Sequence, residues 1–159
     1  MQAKTVKESA VVTSIVMMPE DANPAGNVHG GVIMKNVDTT AGVAAFRHTR
    51  CNSVTASIDR LIFLYPVFVG DLLTLRASLN MASRTSMEIG VRVEAENLLS
   101  GEVRHTASAY LTFVALDKSG RPTEIPSLIL ETDEEKRRNR QALARRATRL
   151  AERDREAKP

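Results

Sequence analysis

The stretch "GGVIMKNVDTTAGVAAFRH", residues 30–48, sets the fold of the whole chain. Ile33, Val37, Ala41, Ala44 and Ala45 recur at helical intervals, and no other side chain is as large as Phe46. A helix this slim can lie deep against a sheet. Upstream, the β-branched run "VKESAVVTSIVMM", residues 6–18, predicts a strand that leads into a Pro/Asn/Gly loop. Downstream come "SVTASIDRLIFLYPVFVGD", "LLTLRASLNMAS", "TSMEIGVRVEAENLL" and "EVRHTASAYLTFVALD", four long β-rich stretches separated by turn residues. One helix after the first strand, followed by consecutive antiparallel strands, is the α+β class: a curved antiparallel sheet wrapped round one long central helix. A small sheet leaves an edge to cover, so pairing with a second copy is expected.

With 159 residues, 43% of them hydrophobic and 26% charged, the chain fits one globular core with an appendage. The appendage is "ETDEEKRRNRQALARRATRLAERDREAKP", so residues 1–130 form the core domain and 131–159 a charged C-terminal helical tail. Acidic residues come first there and arginines follow, the order that a helix dipole favours, with Thr132 or Asp133 as cap. Leu143, Ala147 and Leu150 are expected to rest on the body or on a partner subunit. The formal charge of +3 is carried largely by this tail, and with no Trp and few aromatics the chain lacks a stacking platform for bases. No nucleic-acid partner is expected. No apolar run approaches the roughly 20 residues of a membrane span, and Met1 to Ala10 does not read as a secretory leader. The single Cys51 cannot form an intrachain disulfide or a thiolate cluster. These features predict a cytoplasmic protein without a metal site.

Asp38 stands inside the helical pattern one turn from Met34, Ala41 and Gly42, so a carboxylate facing that way is partly desolvated. A surface pair with Lys35 is the plainer alternative. Gly42 costs about 1 kcal/mol relative to Ala inside a helix, which suggests that something approaches closely there. At the helix start, Gly30 and Gly31 are expected to leave backbone N–H groups free to polarise a carbonyl oxygen or hold an anion. Asn23, before Pro24, reads as a turn residue, and His29, with no carboxylate partner in sequence, as structural. No nucleophile elbow, phosphate loop or His-Glu metal spacing occurs.

"MPEDANPAGNVHGGVIMKNVD", "IDRLIFLYPVFVGDLL", "SRTSMEIGVRV" and "ETDEEKRR" together resemble the hotdog-fold acyl-CoA thioesterases of the acyl-CoA hydrolase type, over most of the chain. The resemblance implies hydrolysis of acyl-CoA to free acid and CoA without a cofactor, since CoA belongs to the substrate. It implies Asn23 and Asp38 as the catalytic residues, supplied to one site by different subunits. The thioester carbonyl would lie at the helix start near His29, Gly30 and Gly31, with Arg84, Thr85 and Ser86, and more weakly Arg60, meeting the CoA moiety. It further implies dimers with a continuous sheet, three of which assemble into a hexamer. A non-catalytic acyl-CoA sensor is the alternative, but a sensor needs neither Asn23 nor Asp38. A hotdog hydratase would want a His-Asp pair. Asn36-Val37 stands where the resemblance leads one to expect a larger residue before the aspartate, which bears on acyl-chain preference.

Overall fold

Helix α2 (Gly30–Thr49) buries Ile33, Val37, Thr40, Ala41, Ala44, Ala45, His48 and Thr49, the stripe expected of a helix laid on a sheet. A computed structural model describes residues 1–157. Strands β1 (Lys4–Thr5), β2 (Val11–Val16), β3 (Asn52–Phe63), β4 (Leu72–Ala82), β5 (Ser86–Glu96), β6 (Val103–Leu116) and β7 (Leu128–Ile129) join α1 (Val6–Ser9), α2 and α3 (Asp133–Glu156). Five of the strands form one antiparallel sheet in the order β2-β4-β5-β6-β3. The two short ones, β1 and β7, pair in parallel.

The inner face of the sheet follows the two-residue period of a strand. Leu73, Leu75, Ala77 and Leu79 of β4, Met87, Ile89, Val91 and Val93 of β5, and Ala107, Ala109, Leu111 and Phe113 of β6 form one core with α2. Full burial of each large side chain contributes about 1.5–3 kcal/mol. Alanine on both sides of the contact lets α2 approach closely. At its C-terminal end, the Lys4 ammonium donates to the carbonyls of Arg47 (3.0 Å) and His48 (2.7 Å), where the helix dipole favours a cation.

One expectation is corrected and another narrowed. Residues 6–18 are not one strand: Val6–Ser9 make a helical turn before β2. The Glu8 carboxylate accepts from the Thr5 backbone N–H (2.6 Å) and hydroxyl (3.0 Å), capping that turn, while Val6 and Ser9 are buried. In α3, capped by Thr132 as expected, Leu143 and Ala147 do not rest on the body of their own chain, while Leu150 is half-buried. The docked face carries Asn139, Ala142, Arg145 and Arg149. Arg145 forms a two-pronged bond to the fully buried Glu88 (2.7 and 3.0 Å) and lies over the Tyr110 ring. Asn80, whose amide also donates to Glu88 (3.0 Å), receives a hydrogen bond from Asn139 at its carbonyl. Gly90 is required here, because a Cβ on it would stand 2.8 Å from the Asn80 amide nitrogen. Guanidinium chemistry, not an apolar stripe, seats α3 on its own sheet.

His48 is fully buried, and its Nε2–H donates to the Pro126 carbonyl at 2.8 Å, while Nδ1 has no partner among the described residues. Burial holds its pKa below the ordinary imidazole value, with the nearby Lys4 charge adding to the effect. The unfolded chain therefore binds a proton that the folded chain refuses once pH falls below about 6.5, and stability is lost in that direction. Thermal unfolding between pH 7.5 and 5.5 should show a steeper fall for the native chain than for His48→Gln, whose amide keeps the Pro126 bond but does not titrate.

Candidate functional site

The loop before α2 is a set of turns that hold one another. The Asn23 side-chain oxygen accepts from the amides of Ala25 (3.0 Å) and Asn27 (3.3 Å), so Asn23 is the turn residue that its place before Pro24 suggests. With its oxygen spoken for, the amide nitrogen forms no hydrogen bond among the described residues and remains a donor. Val28 and His29 are tied to Val67 and Asp21 through their backbone N–H groups. The helix start is thereby fixed against the loop after β3.

His29 is the N-cap of α2: its Nδ1 accepts from the Gly31 N–H at 3.0 Å, leaving the ring proton on Nε2. The expectation that the Gly30 and Gly31 amides both stand free is therefore corrected, since His29 consumes the second. The Phe63 ring borders Gly30, 3.6 Å from where a Cβ would stand.

Asp38 lies two turns further along. Eight residues at 1.5 Å each put it about 12 Å from Gly30. It is half-buried, and one carboxylate oxygen accepts from the Thr55 hydroxyl of β3 at 2.5 Å. Lys35 is not its partner. Thr55 went unnoticed in the sequence because a threonine in a strand is ordinary; only the fold brings it to the helix. Gly42, one turn on, faces the Phe113 ring, 3.8 Å from a would-be Cβ. That is ordinary contact, so nothing within the chain demands glycine there. Met34, Val43 and Phe46 are exposed apolar side chains of α2, and Val54, Ile58, Ile62 and Phe63 are exposed on β3. β3 is itself an edge strand, with neighbour β6 on one side only.

The other candidates divide between two regions. Thr55, Phe113 and Met87 share one row across β3, β6 and β5, and the β4–β5 turn carrying Arg84, Thr85 and Ser86 begins just beyond Met87. Two strand spacings, about 10 Å, separate that row's ends. The turn thus sits at the Asp38 end of the sheet, with Arg84 exposed and only 4.0 Å from an equally exposed Glu124. Arg60 instead pairs with Tyr110 on the outer face, away from Asp38. A cavity of about 360 Å³ also opens on that outer face, between α3 and the sheet. Its arginines already face carboxylates: Arg92 meets Glu94, and Arg137 and Arg138 share Glu134, whose pKa the Arg137 hydrogen bond pulls down to about 2.

A helix cradled by an antiparallel sheet is the fold this chain shares with solved acyl-CoA thioesterases, and the sequence profile of the thioesterase superfamily matches residues 25–101. The uncharacterized acyl-CoA thioester hydrolase YkhA of Bacillus subtilis is 38% identical over 84% of this chain and 78% of its own. An apo-hexameric acyl-CoA thioesterase superposes with a TM-score of 0.92 at 37% identity, covering both chains completely. The acyl-CoA hydrolase of Staphylococcus aureus, solved with butyryl-CoA and CoA, gives 0.89 at 34% identity over 97% of this chain and 94% of its own. Alanine variants of that enzyme have been solved at an asparagine, an aspartate fifteen residues later and a threonine seventeen beyond that. Within the superfamily, this chain belongs to the acyl-CoA thioester hydrolases.

Capping gives His29 a testable weight. His29→Ala should cost about 1 kcal/mol of stability in urea denaturation at fixed protein concentration, and His29→Asn, which can also accept from Gly31, should recover most of it.

Proposed function

We propose that the protein hydrolyses acyl-CoA to free carboxylic acid and CoA in a site assembled from two copies of the chain. One observation carries the shared site. Asp38 and the start of α2 lie about 12 Å apart along a single helix, too far to act on the same carbonyl. An antiparallel partner across the exposed β3 edge would bring one copy's helix start, with Asn23, to the other copy's Asp38. The apolar side chains along α2 and β3 then become the surface that the partner covers.

In this reading Asp38 accepts a proton from water, whose oxygen attacks the thioester carbonyl carbon; the C–S bond breaks and the CoA sulfur takes the proton back. The Thr55 hydroxyl holds one carboxylate oxygen and leaves the other for water. The free amide of Asn23 and the N–H at Gly30 meet the developing negative charge on the carbonyl oxygen. The spacings of Asn23, Asp38 and Thr55 are those of the asparagine, aspartate and threonine varied in the Staphylococcus aureus enzyme, which supports the assignment. Arg84, Thr85 and Ser86 serve the CoA arm, where a guanidinium and two hydroxyls suit phosphate. The dimers assemble as a hexamer, as hexameric relatives do. Among the described residues no helix is long and apolar enough to cross a membrane, and the human relative is a cytosolic enzyme; we place the protein in the cytoplasm.

Asp38→Asn should lower kcat by about 10³-fold while acyl-CoA still binds, measured by CoA release and by titration calorimetry. Turnover near the native rate would end the mechanism. Asn23→Ala and Asp38→Ala should each be inactive alone. In a co-expressed mixture assembling at random, half the dimers are mixed, and each of these has one intact site. About a quarter of native activity then returns. No recovery in a mixture whose mixed dimers are confirmed by mass spectrometry would place both residues in one chain's site.

A further inference from the structure

Strand β3 changes the way its side chains face midway along its length. Thr55 stands opposite Phe113, a core residue, and donates to Asp38 on α2. By simple alternation Asp59, four residues on, would face the same way. Instead its carboxylate accepts from Arg149 of α3, on the opposite face of the sheet, at 2.5 Å, and from the Ser57 hydroxyl at 3.1 Å. A first bulge reverses the alternation and a second, at Asp59, restores it. Thr55 opposes Phe113 while Ser57 opposes the next residue, Thr112, leaving Ala56 unpaired. Ile58 opposes Leu111 while Arg60 opposes Tyr110, leaving Asp59 unpaired. A bulge re-aims side chains and bends the strand, and here it does so on an edge strand held from one side.

The residue just before the first bulge is Thr55, and the second bulge is Asp59 itself. Asp59 and Arg149 are largely withdrawn from water, with side chains 14% and 23% exposed. Arg149 lies one helical turn beyond Arg145, whose bond to buried Glu88 fixes α3 on the sheet. We propose that the Arg149–Asp59 pair locks the bulged segment of β3 and so aims the Thr55 hydroxyl at Asp38, which makes Asp59 and Arg149 positioning residues for the hydrolysis. This rests on Asp38 being the reacting carboxylate. The tail helix thus acts on the reaction from the far face of the sheet, through one strand and without touching the substrate.

The test is a double-mutant cycle on the full-length protein with an acyl-CoA substrate, following CoA release. Asp59→Asn and Arg149→Gln should each lower kcat about fivefold with KM changed less than about twofold, the scale of coupling between residues in contact. Thr55→Val should lower kcat about tenfold. On the Thr55→Val background either substitution should cost less than about twofold more, since the hydroxyl they position is gone. A general loss of structure would multiply instead. If Asp38→Asn retains turnover, the reading of the site fails and this proposal with it. If Asp38→Asn is inactive but the losses multiply, or Asp59→Asn and Arg149→Gln keep native kcat, the positioning role alone is overturned. Arg149→Gln leaves β3 itself unaltered, so the cycle still decides should Asp59→Asn fold poorly.

Discussion

Val37, Ala41, Ala44 and Ala45 of α2 have no exposed surface, being seated in one cluster with Leu73, Ile89 and Leu111 of the sheet. That contact fixes more than stability. Each residue of a helix is turned 100° from the one before it, so seating Val37 on the sheet leaves Asp38 no freedom of direction. It must emerge at the flank, where α2 meets β3 and Thr55 is waiting. A carboxylate facing squarely into the core would be neutralised by burial, and one on the opposite side would be a solvated surface charge. The flank is the position from which it is half-sheltered and still open to a second chain.

The parts legible in the sequence were those governed by local periodicity. The helical interval of small apolar residues marked α2, β-branched runs between turn residues marked β3 to β6, and the acidic-then-basic order marked α3 with its Thr132 cap. Asn23 and Asp38 were reached through family resemblance more than through spacing. Three features lay beyond such reading. The turn at Val6–Ser9 depends on the Glu8 carboxylate accepting two bonds from Thr5 in an otherwise strand-like run. The docked face of α3 is chosen by Glu88 and Asp59, residues of distant strands that no helical pattern can anticipate. The Thr55–Asp38 bond joins residues seventeen apart on different elements, and its direction depends on where β3 bulges, a property of pairing with β6 rather than of β3 alone.

The apolar residues beside Asp38 carry a consequence for how such a protein can change. Met34 and Phe46 on α2, with Ile58 and Phe63 on the core-facing side of β3, make a lone chain adhesive. Once covered by a second copy, the same side chains are withdrawn from solvent. Solubility of the single chain and cohesion of the pair therefore pull against each other at the same positions. Substitutions that render the monomer comfortable in water would weaken the contact. Selection for assembly is at the same time selection against life as a monomer.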